Sequence, residues 1–142
     1  MTGGVPDGFS PIEIGGRFNG LAGPLFSRPH DDGLELGFLV EVRHGNGMGV
    51  CHGGMMATFC DMLLPLTARS LAPEIGDVFL PTISLQIDYL APAPIGAWVQ
   101  GSAQVLHRTG AMAFVQGLVT ADGTLVVRAS GVLKISRRMR DQ

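Results

Sequence analysis

The stretch GGMMATFCDMLLPLTARSL, residues 53–71, constrains the fold more than any other. It has the length of a helix and is apolar on nearly every side, so it reads as a buried helix rather than an amphipathic surface one. Pro73 and Gly76 end it. From there the hydrophobic period changes to two. In ISLQIDYL, 83–90, Ile83, Leu85, Ile87 and Tyr89 share one face, and Ser84, Gln86 and Asp88 share the other. AWVQGSAQVLHR (97–108), MAFVQGLVT (112–120) and TLVVRASGVLKIS (124–136) read as three further strands. LELGFLVEVR (34–43) reads as a strand ahead of the helix. Arg108-Thr109-Gly110 and Ala121-Asp122-Gly123 are short turns, the second carrying the Asp-Gly hairpin signal.

Strand, long helix, then four strands joined mostly by short turns is an antiparallel α+β arrangement. A helix apolar on all sides needs a curved sheet wrapped round it. One helix cannot cover both faces and the edges of a five-stranded sheet, so association of copies follows. Charge points the same way: 15% of residues are charged, against a usual share of about 25%. The alternative is a weakly charged monomer. The 142 residues make one domain. Its folded part spans 34–136. Before it lies an irregular lead-in, 1–33, with one helical turn near Gly16–Leu21 and with Phe18, Leu21 and Phe26 expected to pack. After it lies a basic tail, 137–142.

The net charge of −2 draws neither nucleic acid nor an anionic membrane. The run SRRMR, 136–140, is a solvated tail or a phosphate contact. No apolar run reaches the roughly 18 residues of a membrane span. With no signal-peptide pattern and only Cys51 and Cys60, a cytoplasmic protein with reduced thiols is expected.

Chemistry concentrates in VCHGGMMATFCD, 50–61. Asp61 lies among Phe59, Cys60, Met62, Leu63 and Leu64. A carboxylate in such a run costs free energy unless it is paired or used. It faces solvent on a partly exposed stripe, or it is kept for general-base or nucleophilic work. Gly53 and Gly54 open the helix, where the first amides lack internal partners and the dipole is positive. They form either a tight loop-to-helix turn or a donor site for a carbonyl oxygen that turns negative. Gly54 and Asp61 are seven residues apart, roughly 10 Å along the axis at 1.5 Å per residue. One carbonyl cannot touch both. If both act on one bond, the Asp comes from a second, antiparallel copy of the helix, and the site lies between subunits.

The stretch HGNGMGVCHGGMMATFCDM resembles the hot-dog-fold acyl-CoA thioesterases of the PaaI-like, phenylacetate-pathway type. In that pattern an Asn stands six residues before His-Gly-Gly and an acid seven residues after the second Gly. Here these are Asn46, His52-Gly53-Gly54 and Asp61. TISLQIDYLAPAPIG resembles the family's strand with a Ser/Thr near its start, here Thr82, and Tyr-x-x-Pro near its end. The resemblance covers about 34–136. It implies a hot-dog fold and hydrolysis of an acyl- or aroyl-CoA thioester to free acid and CoA. It implies that the Gly54 N–H polarises the carbonyl, and that Asp61 of the facing subunit activates water or attacks. Thr82 would hold that water, and Asn46 and His52, with Gly53 beside them, would order the loop and the thioester. Arg108 and Gly110 lie in a turn that resembles the family's pantetheine or phosphate contact; an ordinary hairpin turn is the other reading. No cofactor is implied beyond the coenzyme A of the substrate, and the partner implied is a second copy, with dimers pairing into a tetramer.

Other readings are weaker. Cys51 and Cys60 read as structural thiols. His44, Cys51, His52 and Cys60 lack metal-ligand spacing, so no metal is expected. GNGMG lacks the Gly-Lys-Ser/Thr of a phosphate loop. Pro65 removes the N–H that would bond the Asp61 carbonyl, so a kink is expected there. A non-catalytic acyl-CoA-binding module on the same fold is the rival function. A hot-dog hydratase or dehydratase is a second rival, without either of its His-containing signatures here.

Overall fold

The change of hydrophobic period after residue 71 marks the junction between one long helix and a run of strands. The structure, a computed structural model, describes residues 4–76 and 78–136. Its elements are β1 (Ser10–Ile12), α1 (Arg17–Ala22), β2 (Leu25–His30), β3 (Gly33–Leu39), α2 (Gly53–Leu71), β4 (Thr82–Tyr89), β5 (Trp98–Arg108), β6 (Met112–Ala121) and β7 (Thr124–Lys134). Short 3-10 turns occupy Val42–His44 and Pro73–Ile75. The expected tail over 137–142 lies outside the described residues.

The strands form one antiparallel sheet in the order β1-β2-β3-β5-β6-β7-β4. α2 packs on one face of it, against β3 to β7. This is the α+β hot-dog arrangement. Phe38, Phe59, Leu36, Leu63, Leu64 and Leu133 are fully buried between helix and sheet. Each such side chain contributes about 1.5–3 kcal/mol by leaving water. The helix comes close because the sheet is bare beneath it. A Cβ on Gly101 would stand 2.8 Å from Leu63 Cδ2, and one on Gly131 would stand 2.8 Å from Leu64 Cδ1. At the β6–β7 turn, Asp122 and Gly123 both take positive φ, 46° and 85°. That is the type I′ hairpin geometry their sequence favours.

Three expectations are corrected. The lead-in is not irregular: β1 and β2 add two strands to the sheet, and Phe26 packs edge-on against Trp98 at 5.7 Å between centroids. Phe18 and Leu21, by contrast, are exposed on α1. The strand expected over 34–43 stops at Leu39, because Glu41 and His44 cap the Val42–His44 turn reciprocally. Finally, α2 is not buried all round. One stripe, Gly54, Thr58, Asp61, Pro65 and Arg69, faces outward on the single chain, with Gly54, Asp61 and Arg69 exposed and Thr58 and Pro65 half-buried. The sequence hides this stripe because Gly and Pro are not polar residues.

Register places Thr82. From Ser84 to Tyr89, β4 pairs with β7 in step, Ser84 opposite Val132 and Tyr89 opposite Val127. Thr82 nevertheless pairs with Leu133, so Ile83 is an extra, bulged residue. Strict alternation would put Thr82 on the outer face with Ser84. A one-residue slip exchanges faces, so Thr82 lies opposite buried Leu133 on the helix side. Ile83 is pushed out, 57% exposed. β4 is also an edge of the sheet, with its other side unpaired.

Candidate functional site

The bulge brings Thr82 to the helix. Its Oγ1 donates to Asp61 Oδ1 at 2.7 Å, tying the start of β4 to the middle of α2. Asp61 is therefore neither buried nor surrounded by apolar groups. It is an exposed carboxylate, and among the described residues the Thr82 hydroxyl is the donor that holds it.

The helix opening is built from His52, Gly53 and Gly54. His52 is the N-cap, with extended backbone at φ −59° and ψ 136°. Its Nδ1 accepts the Gly54 N–H at 2.8 Å, and its carbonyl accepts from Met56 at 3.0 Å. An amide has one proton, so the expected role of Gly54 as donor to a substrate is corrected: that amide is taken. The Gly53 N–H has no acceptor among the described residues. It is the open donor at the positive end of the helix. On the other side of the same residue, the Gly53 carbonyl accepts the Tyr89 hydroxyl at 2.7 Å.

The loop ahead of the helix is closed by Asn46. Its Oδ1 accepts from the amides of Met48 at 2.8 Å and Val50 at 3.4 Å. Its backbone N–H donates to the Val50 carbonyl at 2.8 Å. These bonds fold residues 46–50 into a tight turn with no help from proline. His44, weighed in the sequence only within a metal set that lacked ligand spacing, is a buried brace. Its ring stands edge-on to Phe38 at 5.4 Å. Nδ1 accepts the Glu41 amide at 3.0 Å, Nε2 bonds the Ala22 carbonyl at 2.7 Å, and the His44 carbonyl holds the His52 amide at 2.8 Å. The spacing Glu41-x-x-His44 was the signal for it.

A cavity of about 350 Å³ opens beside Gly53, lined by Cys51, Met56, Tyr89, Leu90, Pro92 and Val127 among others. Burial pushes the Cys51 thiol up to about 11. Burial, with the Asp61 charge adding to it, pushes Cys60 up to about 12. Both stay protonated near neutrality and are unfit as nucleophiles. Another cavity, about 420 Å³, lies between β3 and β5 near Thr67 and Gln104 and contains none of the motif residues.

Within one chain, Arg108 and Gly110 lie away from the glycine opening. Arg108 Nη1 bonds Glu74 Oε1 at 2.7 Å, beyond the C-terminal end of α2 and away from its glycine opening. Gly110 has open space where a Cβ would stand. No group of three or more His, Cys, Asp or Glu among the described residues is arranged to hold a metal ion. No helix among them is long and apolar enough to cross a membrane.

Comparison with known proteins gives the same fold. Residues 48–128 match the family described as the thioesterase superfamily. A Pseudomonas aeruginosa protein carrying a provisional esterase name is 29% identical over 132 residues, 92% of this chain and 97% of its own length. Acyl-coenzyme A thioesterase 13 of Mus musculus is 32% identical over 96 residues, 65% of this chain and 64% of that enzyme. A solved structure of a hypothetical thioesterase protein with coenzyme A, from Streptococcus pneumoniae, aligns with a TM-score of 0.70 at 20% identity. It covers 80% of this chain and 87% of the other, and the likeness is one of fold.

Proposed function

The chain belongs to the thioesterase superfamily, and from that premise we propose that it hydrolyses an acyl- or aroyl-CoA thioester to the free acid and CoA at a site shared by two copies. The observation that carries the reading is the Thr82–Asp61 hydrogen bond, 2.7 Å, on the same exposed helix stripe as the glycine opening. The narrower PaaI-like assignment belongs to the same proposal and rests on the spacing of Asn46, His52-Gly53-Gly54, Asp61 and Thr82.

Gly53 and Asp61 are eight residues apart, roughly 12 Å along the axis. Each copy therefore supplies half of the chemistry. The Gly53 N–H of one copy polarises the thioester carbonyl, and Asp61 of the other works on its carbon. The unpaired edge of β4, with Ile83 57% and Tyr89 56% exposed, is the surface on which a second copy would pair. Such pairing would lay the two exposed helix stripes side by side. The dimer is the functional unit of this reading, and a tetramer of two dimers its assembled form.

In the hydrolysis, water adds to the carbonyl carbon as its proton passes to the Asp61 carboxylate. The tetrahedral oxygen is stabilised by the Gly53 amide. The C–S bond then breaks and the thiolate takes the proton. Attack by the carboxylate itself is the variant, with water then cleaving the mixed anhydride. Thr82 holds Asp61 in either case, and Asn46 and His52 shape the loop against which pantetheine lies. Coenzyme A is part of the substrate rather than a separate cofactor. The cytoplasm suits two free cysteines.

The test is thiol release from a panel of acyl- and aroyl-CoAs, with wild type and Asp61→Asn. Turnover by wild type and its loss by orders of magnitude in the variant, with fold and oligomer kept, is expected. Tight binding of acyl-CoA without thiol release would make the chain a binding module instead.

A further inference from the structure

We propose that Tyr89 is a positioning residue, one that fixes the Gly53–Gly54 peptide and through it the aim of the Gly53 N–H. The inference rests on the reading of that amide as the donor to the substrate carbonyl. Two adjacent glycines allow a substrate oxygen to come close, but they also have the widest backbone freedom of any pair. A donor that wanders is a poor one, because electrostatic stabilisation depends on dipoles already aimed at the developing charge.

Three bonds remove that freedom. The carbonyl of the Gly53–Gly54 peptide accepts the Tyr89 hydroxyl at 2.7 Å. The N–H of the same peptide donates to His52 Nδ1 at 2.8 Å. The preceding peptide, whose N–H is the open one, is held at its oxygen by the Met56 amide at 3.0 Å. The Gly53–Gly54 peptide plane is thus gripped at both ends, and the rotation left at Gly53 is confined between two fixed planes. The Tyr89 ring also lies over Gly53: a Cβ there would stand 3.4 Å from its hydroxyl and 3.5 Å from the ring carbons. Tyr89 closes β4, the strand that carries Thr82 at its other end. One strand therefore holds Asp61 by its first residue and the helix opening by its last. In the two-copy reading these belong to different active sites.

The test is Tyr89→Phe, which keeps the ring over Gly53 and removes only the hydroxyl. Thiol-release kinetics give kcat and KM separately, and amide hydrogen exchange of ¹⁵N-labelled protein reads the bonded Gly54 amide of the gripped peptide directly. The expected result is a fall of about tenfold in kcat, the scale of a slightly misaligned group, with KM and Tm unchanged and faster exchange at Gly54, whose amide is the bonded one. Unchanged kcat and unchanged exchange would overturn the inference while leaving the thioesterase reading intact. So would a shift confined to Tm and KM, the mark of a structural contact only. If wild type releases no thiol from any acyl-CoA, the functional reading fails by itself. Exchange then decides alone: faster exchange in the variant upholds the grip on the peptide, and unchanged exchange ends it.

Discussion

Replacing Thr82 by Val removes one hydroxyl, keeps the branched shape and leaves the strand able to form. The lost bond is a hydroxyl donating to a charged carboxylate at 2.7 Å. Bonds to charged groups contribute about 1.5–3 kcal/mol. Both partners are exposed on the single chain, which puts the loss at the lower end. If the carboxylate must hold its position to act, about 1.5 kcal/mol translates into a little over tenfold in kcat at about 1.4 kcal/mol per decade. Thr82→Ser should keep most of the rate. A second variant tests the placement of Thr82 rather than its chemistry. Deleting Ile83 removes the bulge and makes Thr82 the direct neighbour of Ser84, which leaves Thr82 opposite Leu133 on the helix side, toward Asp61. It should keep far more activity than Thr82→Val, provided circular dichroism and Tm show the fold retained. Thiol release under saturating substrate gives kcat for each. A folded Ile83 deletion as slow as Thr82→Val would refute the argument that pairing opposite Leu133 is what aims this hydroxyl.

Gly53→Pro should remove the open donor amide cleanly. Position N1 suits proline, and His52 already has the extended backbone that a residue before proline requires. A loss of about 10²–10³ in kcat is expected, with little change in Tm; wild-type turnover in a folded Gly53→Pro protein would exclude that amide. Mixing inactive Asp61→Asn and Gly53→Pro proteins after unfolding and refolding should restore about a quarter of wild-type activity, since mixed dimers carry one intact site. No recovery despite demonstrated mixing would place both groups in the same copy. Cys60 gives a pH prediction. Its thiol is raised from 9.0 to about 12, mainly by burial, so the folded chain keeps this proton longer than the unfolded one. Its contribution to stability is complete below about pH 9 and is lost as pH climbs toward 12, at up to about 1.4 kcal/mol per pH unit. Denaturation midpoints from pH 8 to 11 should fall less steeply in Cys60→Ala than in wild type; equal slopes would show that this thiol is not the cause.

The parts of the molecule legible in the sequence are those governed by local periodicity. The helix over 53–71 and the four strands after it follow from spacing and turn chemistry, and the Asp122-Gly123 turn takes the geometry its residues favour. β1 and β2 were hidden by their prolines. Pro11 sits on an edge strand, and Pro29 lies where β2 runs on past its pairing with β1, so neither costs a ladder bond. The site shows the same division. Asn46, His52, Asp61 and Thr82 were visible as a spaced set, but the capping role of His52, and with it which glycine amide is free, depends on the His52 rotamer, a detail that spacing does not carry. Nor does alternation reveal a bulge: read with period two, Thr82 belongs with Ser84 and faces away from the helix.

The glycines under α2 bear on the site from a distance. At Gly101 and Gly131 the helix rests on bare backbone, with Leu63 and Leu64 filling the space that a methyl group would need. Asp61 rides on that helix and Thr82 on the sheet, so the gap between the two layers is also the length of their bond. A single added carbon at either glycine would act as a shim, raising the carboxylate from its hydroxyl without altering any residue that touches substrate. The tolerance of the proposed reaction centre is therefore set in part by hydrogen atoms on strands that take no share in its chemistry.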